Sequence, residues 1–469
     1  MINKTHIIAI GVMAAVLVII MMITLPGREE KNVSNVESRE DNFGEGYNSG
    51  KNGSQDEEIA GKDDSSDPDQ SGIPDTDQTD GIHENDDGNA AGPDNADTST
   101  VVESDDPSDN EEDNGMTELE KTAAARLEKM TLREKIYQMC IITPEQLGGE
   151  WPVTAVSDND LNKLSECPVG GIIFFEANLT GPEQTAEMLS TLQEYSVKNI
   201  GLPLFLCVDE EGGRVVRIAK NPAFGVENPG PMKKVESANE ALEIGRTIGK
   251  YLSELGFNVD FAPDADALTA PGSVIIGDRS FGDDPEKVTE LAAAVSDGLH
   301  EYGILSCFKH FPGHGAVEAD THKGLAYTDK SLEELMECEI IPFAKAEEKN
   351  IDMIMAAHIS VPGILGDNTP CSLSEYMLTT VLKEKLGYKG LVITDALNMG
   401  AVTDVYSPGE SAKAAVQAGA DIILMPPDLE EAVSAVEEAV INGEISEELI
   451  NAAVMKIMIK KYTILFTGG

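Results

Sequence analysis

Leu204-Phe205-Leu206-Cys207-Val208-Asp209-Glu210-Glu211-Gly212-Gly213-Arg214 is the stretch whose reading decides the fold. Unbroken apolar residues read as a strand buried on both faces, the kind found in parallel sheets. The run then turns at once into acids, a glycine pair and an arginine. The same transition recurs along the chain. Val259 runs into Asp260, with Asp264 and Asp266 beyond, Phe308 into Lys309-His310, Ala357 into His358, and Ile393-Thr394 into Asp395. Polar groups at the carboxyl ends of many strands converge on one face when a sheet closes into a barrel, whereas in an open sheet they scatter along an edge. Of the seven histidines, His310, His314, His322 and His358 belong to this set, a concentration that chance placement would rarely give.

Outward from that stretch, strand candidates fall at 136–142, 170–175, 202–208, 258–262, 304–308, 353–357, 391–394 and 422–425. Between them lie helical patterns at 182–196, 238–255, 285–302, 331–350, 374–386 and 409–418. The alternation implies a parallel sheet, and eight repeats predict a single α/β domain, a (β/α)₈ TIM-type barrel, over residues 117–469. A last helix at 446–465 is expected to seal it, with no second domain following.

The first 116 residues have a different character. Residues 7–25 carry no charge and suffice for a membrane helix, which needs roughly 17–25 residues, so residues 1–26 are expected to be an N-terminal transmembrane signal anchor, with a cleaved signal peptide as the alternative. Residues 27–116 read as a disordered acidic linker. Between 28 and 115 there are 28 acidic and 5 basic residues, nearly half of the formal net charge of −50, with few branched or aromatic side chains to bury. A coil of this length spans about 50 Å and would hold a catalytic domain clear of a membrane, on its extracytoplasmic side. The charge argues against nucleic acid as a partner. The six cysteines show no Cys-x-x-Cys pair and are expected to be free thiols, mostly buried in apolar runs.

The densest chemistry is Lys309-His310-Phe311-Pro312-Gly313-His314-Gly315, followed after four residues by Asp320-Thr321-His322. Its glycines and proline read as an irregular active-site loop, and an Asp two residues before a His can orient and charge-stabilise that imidazole as an acid/base.

This run resembles the signature of glycoside hydrolase family 3, in the β-N-acetylglucosaminidase (β-hexosaminidase) branch. Supporting motifs stand in the family's order: Val208-Asp209-Glu210-Glu211-Gly212-Gly213-Arg214 with Arg217, residues 258–263, Ile276-Gly277-Asp278-Arg279-Ser280-Phe281-Gly282, Ala357-His358, and Thr394-Asp395-Ala396-Leu397-Asn398-Met399. The resemblance implies Asp395 as nucleophile, His322 as general acid/base and Asp320 as its partner. It also implies that Asp209, Arg217, Arg279, Lys309 and His310 bind the non-reducing sugar. The implied reaction is a two-step retaining hydrolysis of terminal β-linked N-acetylglucosamine from cell-wall fragments, through a covalent glycosyl-enzyme, by a monomer needing no metal or organic cofactor. An imidazole with an ordinary pKa near about 6.5 can serve as both acid and base without the upward shift a carboxyl would need.

Competing readings of the same residues remain. Asp395 could cap a helix, His322 could be a loop histidine, His310 and His314 could shape the loop without carrying protons, and His358 could line the pocket or satisfy a core hydrogen bond. Glu210 stands where the family often has an amide, and Asp264 and Asp266 are expected near the pocket mouth, where both could alter the preference for the leaving group. Gly315 and Gly324 are expected hinges of the loop. Functional alternatives are a β-glucosidase, a β-N-acetylglucosaminide phosphorylase, a metal-dependent hydrolase using His310, His314, His322, His358 and Asp209, and a non-catalytic wall-binding protein.

Overall fold

A computed structural model of the chain describes residues 116–467, apart from His322, Lys323 and Leu325. The expected membrane span at 7–25 and nearly all of the acidic linker lie outside those residues. Among the described residues, no helix is long and apolar enough to cross a membrane.

Eight parallel strands form the frame: β1 Cys140–Ile142, β2 Gly171–Ile173, β3 Phe205–Val208, β4 Val259–Asp260, β5 Cys307–Phe311, β6 Met353–Ala356, β7 Leu391–Thr394 and β8 Ile423–Leu424. Two ladders, β8-β1-β2-β3-β4 and β5-β6-β7, are joined by parallel bridges from Val259 to Leu305 and from Ile393 to Ile422. The sheet therefore closes on itself, and the expected barrel is what the chain forms. Around it run α1 Asp158–Glu166, α2 Pro182–Tyr195, α3 Ala238–Leu255, α4 Pro285–His300, α5 Leu332–Glu337, α6 Tyr376–Lys385, α7 Pro408–Ala418 and α8 Leu429–Ile441.

The differences from the expected elements have local causes. Residues 136–138 belong to the helix Leu132–Gln138, which starts at a Thr131/Glu134 capping box, so β1 begins only at Cys140. The single helix expected at 331–350 is broken. Pro342 starts a second short helix, Ile341–Ala344, and Glu339 turns inward to take the Thr269 hydroxyl and the Lys330 ammonium. α6 is wound as a π-helix.

The most consequential difference is in β5, which starts three residues later than expected and runs through Lys309 and His310. Lys309 pairs with Met355, but Phe311 pairs with Ala356, so His310 is an extra residue, a β-bulge. Adjacent strand residues normally point to opposite faces. The bulge lets Lys309 and His310 both face the barrel's upper end.

The last helix, α9 Glu447–Thr467, crosses the amino ends of the strands. Lys460 meets Asp352 just before β6, Lys456 meets Asp421 just before β8, and the fully buried Lys461 donates to Gln138 Oε1 at 2.7 Å with its ammonium 5.2 Å from the centre of the Phe205 ring. Burial drags the Lys461 pKa down to about 7. All six cysteines are free thiols; five are buried and Cys338 is half-buried.

Candidate active site

The carboxyl ends of the strands open into a cavity of about 320 Å³, lined by Asp209, Glu211, Arg217, Arg279, Lys309, His310 and Asp395 among the polar residues and by Phe175, Met355 and Met425 among the apolar ones. Charge gathers on the β3–β5 side and Asp395 enters from β7, so groups distant in sequence share one small pocket.

On the charged side, Lys309 sits between two carboxylates, with Nζ 2.9 Å from Asp209 Oδ1 and 2.7 Å from Glu211 Oε1. Arg279 binds Glu211 in a two-pronged pair at 2.8 and 2.7 Å, and Arg217 reaches the other oxygen of Asp209 at 3.3 Å while its guanidinium lies 5.6 Å from the centre of the Phe175 ring. Burial raises the pKa of Asp209, but Lys309 and Arg217 outweigh it and leave the carboxyl below its usual range. Glu211 is opposed by burial in the same way and is likewise held below its usual range by Arg279 and Lys309. Burial works against the charge of Lys309 as well, yet its two carboxylates keep it above the ordinary lysine value. The side chains are thus ionised and mutually fixed before any ligand arrives.

The loops that carry them are tied together. Gly212 and Gly213, with φ of 93° and 60°, turn the chain after β3. Arg214 then donates to the carbonyls of Val274, Ile275 and Ile276 at 2.7, 2.6 and 3.1 Å, locking this loop to the one that delivers Arg279. Glu210 corrects an expectation. It is fully buried, accepts from the backbone nitrogens of Arg217, Ile218 and Ala219 and from the Tyr251 hydroxyl, and closes the Arg217 loop, so it does not touch the leaving-group side.

Asp264 and Asp266 likewise lie beneath the pocket, not at its mouth, and both are fully buried. Asp266 accepts from His310 Nδ1 at 2.8 Å and from the backbone nitrogens of His310 and His314 at 3.2 and 2.6 Å. His310 must therefore carry its proton on Nδ1 and turn Nε2 to the cavity, 3.4 Å from Arg279. Burial opposes the Asp266 charge, but His310 reverses the balance and its pKa ends low. Asp264 faces the Nε of Arg279 at 3.2 Å, a guanidinium already committed to Glu211. Burial dominates there, Arg279 works against it, Asp266 adds to it, and the Asp264 carboxyl is pushed well above its usual range. Asp264, Asp266 and His310 offer three ligand atoms within 4.8 Å of one another, but the His310 hydrogen bond and the Arg279 contact already use them.

On the other side, Asp395 Oδ1 accepts from the backbone nitrogen of Ala396 at 2.8 Å. It caps no helix, since the helix Gly400–Thr403 is capped by Met399. His358 does not line the pocket. It is fully buried, with Nδ1 2.6 Å from Ser372 Oγ and Nε2 3.0 Å from the carbonyl oxygen of Ala396. A carbonyl only accepts, so Nε2 carries the proton and Nδ1 accepts from Ser372.

His322 lies outside the described residues. Asp320 is half-buried and does not line the cavity; between the two, Thr321 is buried and its Oγ1 is 3.2 Å from His314 Nε2, so the loop is pinned to the end of β5. Gly315 is no hinge: a side chain there would meet the Ala267 carbonyl oxygen at 2.0 Å, and its own carbonyl accepts from Ala270. Gly324, with φ of 137°, keeps the backbone freedom expected of it. Sequence reasoning assigned no part to Glu211 or Phe175, and it placed Asp266 at the pocket mouth instead of beneath His310. Glu211 was legible, because residues 209 and 211 after a strand project to the same side.

The chain belongs to the glycosyl hydrolase family 3, whose N-terminal domain matches residues 131–459. It is 34% identical over 280 residues to "Beta-hexosaminidase A" of Pseudoalteromonas piscicida, covering 56% of this chain and 46% of that relative. To "Beta-hexosaminidase" of Chromobacterium violaceum it is 32% identical over 287 residues, covering 59% of this chain and 77% of the relative. The solved structure of a glycoside hydrolase family 3 beta-N-acetylglucosaminidase from Paenibacillus sp. superposes with a TM-score of 0.67 at 34% identity, over 71% of this chain and 63% of that one. The chain thus spans under half of the first relative and under two thirds of that solved structure.

Proposed function

We propose that this protein is a retaining exo-β-N-acetylglucosaminidase that removes terminal non-reducing β-linked N-acetylglucosamine from cell-wall, peptidoglycan-type fragments. The observation that carries the reading is the single-sugar cavity with Asp395 on one wall and the Asp209–Lys309–Glu211–Arg279 network on the other. The names of the relatives support the sugar. In this mechanism Asp395 attacks the anomeric carbon and forms the glycosyl-enzyme. His322, oriented by Asp320, protonates the leaving oxygen and then takes a proton from the attacking water. Asp209, Arg217, Arg279, Lys309 and His310 hold the sugar. Asp209 accepts a pair of hydroxyl protons, while Lys309 and Arg217 donate to sugar oxygens. The loop carrying His322 moves over the bound sugar, with Gly324 as a hinge.

The domain arrangement follows the sequence. Residues 1–26 anchor the chain in the cell membrane, residues 27–116 space it, and the barrel of 117–469 acts outside the cytoplasm.

The test is hydrolysis of nitrophenyl β-N-acetylglucosaminide beside the matching glucoside, with and without phosphate, by the full chain and its Asp395→Ala variant. Phosphate-independent turnover of the acetamido sugar, reduced at least about 10⁴-fold in the variant, is expected. Equal turnover by the variant would remove Asp395 from the chemistry, and turnover of the glucoside alone would overturn the sugar assignment.

A further inference from the structure

The chain contains one tryptophan, Trp151, and its side chain is 75% exposed. Lone exposed apolar residues are common and need no explanation, but the loop that presents this one is built into the rim of the cavity. It follows β1, at the carboxyl ends of the strands. Glu145 Oε1 accepts from the backbone nitrogen of Val153 at 3.1 Å and from Asn178 Nδ2 at 2.7 Å, and the same Nδ2 donates to the Val153 carbonyl at 3.0 Å. Asn178 in turn accepts from the backbone nitrogen of Phe175 at 2.9 Å. On the other flank, Gln146 donates to the Pro426 carbonyl at 2.8 Å, next to Met425. Phe175 and Met425 both line the cavity. The Trp151 loop is therefore hydrogen-bonded, through Asn178 and Pro426, to the segments that carry two lining residues of the pocket, and its indole is exposed to solvent. Val274 and Val405, also exposed, lie in the connections that follow β4 and β7.

We propose that Trp151 is a platform for the pyranose rings on the leaving-group side of the scissile bond. The inference rests on the exo-glycosidase reading above. A cavity of about 320 Å³ holds one sugar, its charged wall is closed by Lys309 and Arg279, and the rest of the glycan must leave across the rim. The axial C–H groups of a β-linked pyranose make an apolar face that an indole covers well, with little conformational entropy lost because the loop is already fixed.

Because Trp151 is the sole tryptophan, its emission reports contact directly. In the full chain carrying Asp395→Asn to stall turnover, the N-acetylglucosamine trimer should shift the emission to the blue, while the monosaccharide, confined to the cavity, should not. Trp151→Ala should lower kcat/KM for the trimer about tenfold more than for the methyl glycoside, through KM, and Trp151→Tyr should restore most of that ratio. Unchanged emission with trimer at concentrations that saturate binding by calorimetry, or a ratio unaffected by Trp151→Ala, would overturn the platform. Failure to turn over even the nitrophenyl monosaccharide would sink the functional reading, and this inference with it, so the two failures are told apart.

Discussion

His358 Nε2 lies 3.0 Å from the carbonyl oxygen of Ala396, the residue that follows Asp395. A buried imidazole thus fixes, through its carbonyl, the residue whose backbone nitrogen, in the preceding peptide, meets the Asp395 carboxylate at 2.8 Å. His358→Ala should leave the Ser372 hydroxyl and the Ala396 carbonyl without their partner, at a cost of about 1–3 kcal/mol in stability. It should also lower kcat by roughly 10- to 100-fold with a smaller change in KM, because aim is lost while the sugar contacts remain. Steady-state kinetics beside a denaturation midpoint check this; a variant as active and stable as the parent would show that the contact positions nothing.

Lys309 compensates two carboxylates at once, so Lys309→Met should destabilise the fold by about 3–5 kcal/mol at neutral pH. Asp209 and Glu211 have folded pKa values below their unfolded ones. The stability they contribute is complete above the unfolded values, near about pH 4, and is lost as pH falls through the folded ones. The gap between parent and variant should therefore be widest near pH 7 and shrink below about pH 5. Urea titrations at several pH values would measure it, and a gap independent of pH would refute the assignment.

Asp264 and Asp266, two residues apart, should respond in opposite ways to the same change. Burial pushes the Asp264 carboxyl well up, so little should be lost with its charge, and Asp264→Asn should alter kcat/KM by no more than about threefold. Asp266→Asn removes the acceptor that sets the His310 tautomer and should cost about 10- to 100-fold. Similar losses in the two variants, measured on one substrate, would contradict the opposite parts assigned to the two carboxyls.

Lys461 is a buried amine with a pKa of about 7 in place of 10.5. The unfolded chain binds the extra proton throughout that window, so folding stability should rise with pH between about 7 and 10, by up to roughly 4 kcal/mol from this group. Lys461→Met should flatten the rise and raise the melting temperature at pH 7. A melting profile with the same slope in both proteins would show that the amine keeps its charge.

The strand-and-polar-end rhythm made the barrel legible, because a parallel barrel writes apolar runs and their polar terminations at each repeat. Asp209, Arg217, Arg279, Lys309, His310 and Asp395 do line one cavity. What local pattern could not convey was depth. Glu210, Asp264 and Asp266 read as acids that could face a ligand, yet they are buried under the pocket, bonding loops and a histidine, because acids beside a strand end have two sides to choose from. Pro342 and the Thr131/Glu134 box were readable signals for the two misjudged helices. The extra residue in β5 was not readable at all, since a bulge depends on the register of the neighbouring strand.

That bulge makes the pocket depend on a count as much as on chemistry. β5 carries one residue more than β6 can pair, and the surplus lets neighbouring side chains serve the same cavity. Substituting His310 changes one functional group and leaves its neighbours in place. Deleting it would regularise the ladder, swing Phe311 toward the position His310 holds, and move everything from Pro312 to the His322 loop by one step. In this strand a loss of length is a graver lesion than a loss of identity, and insertions or deletions, unlike point changes, should find no tolerant site between Cys307 and Gly315.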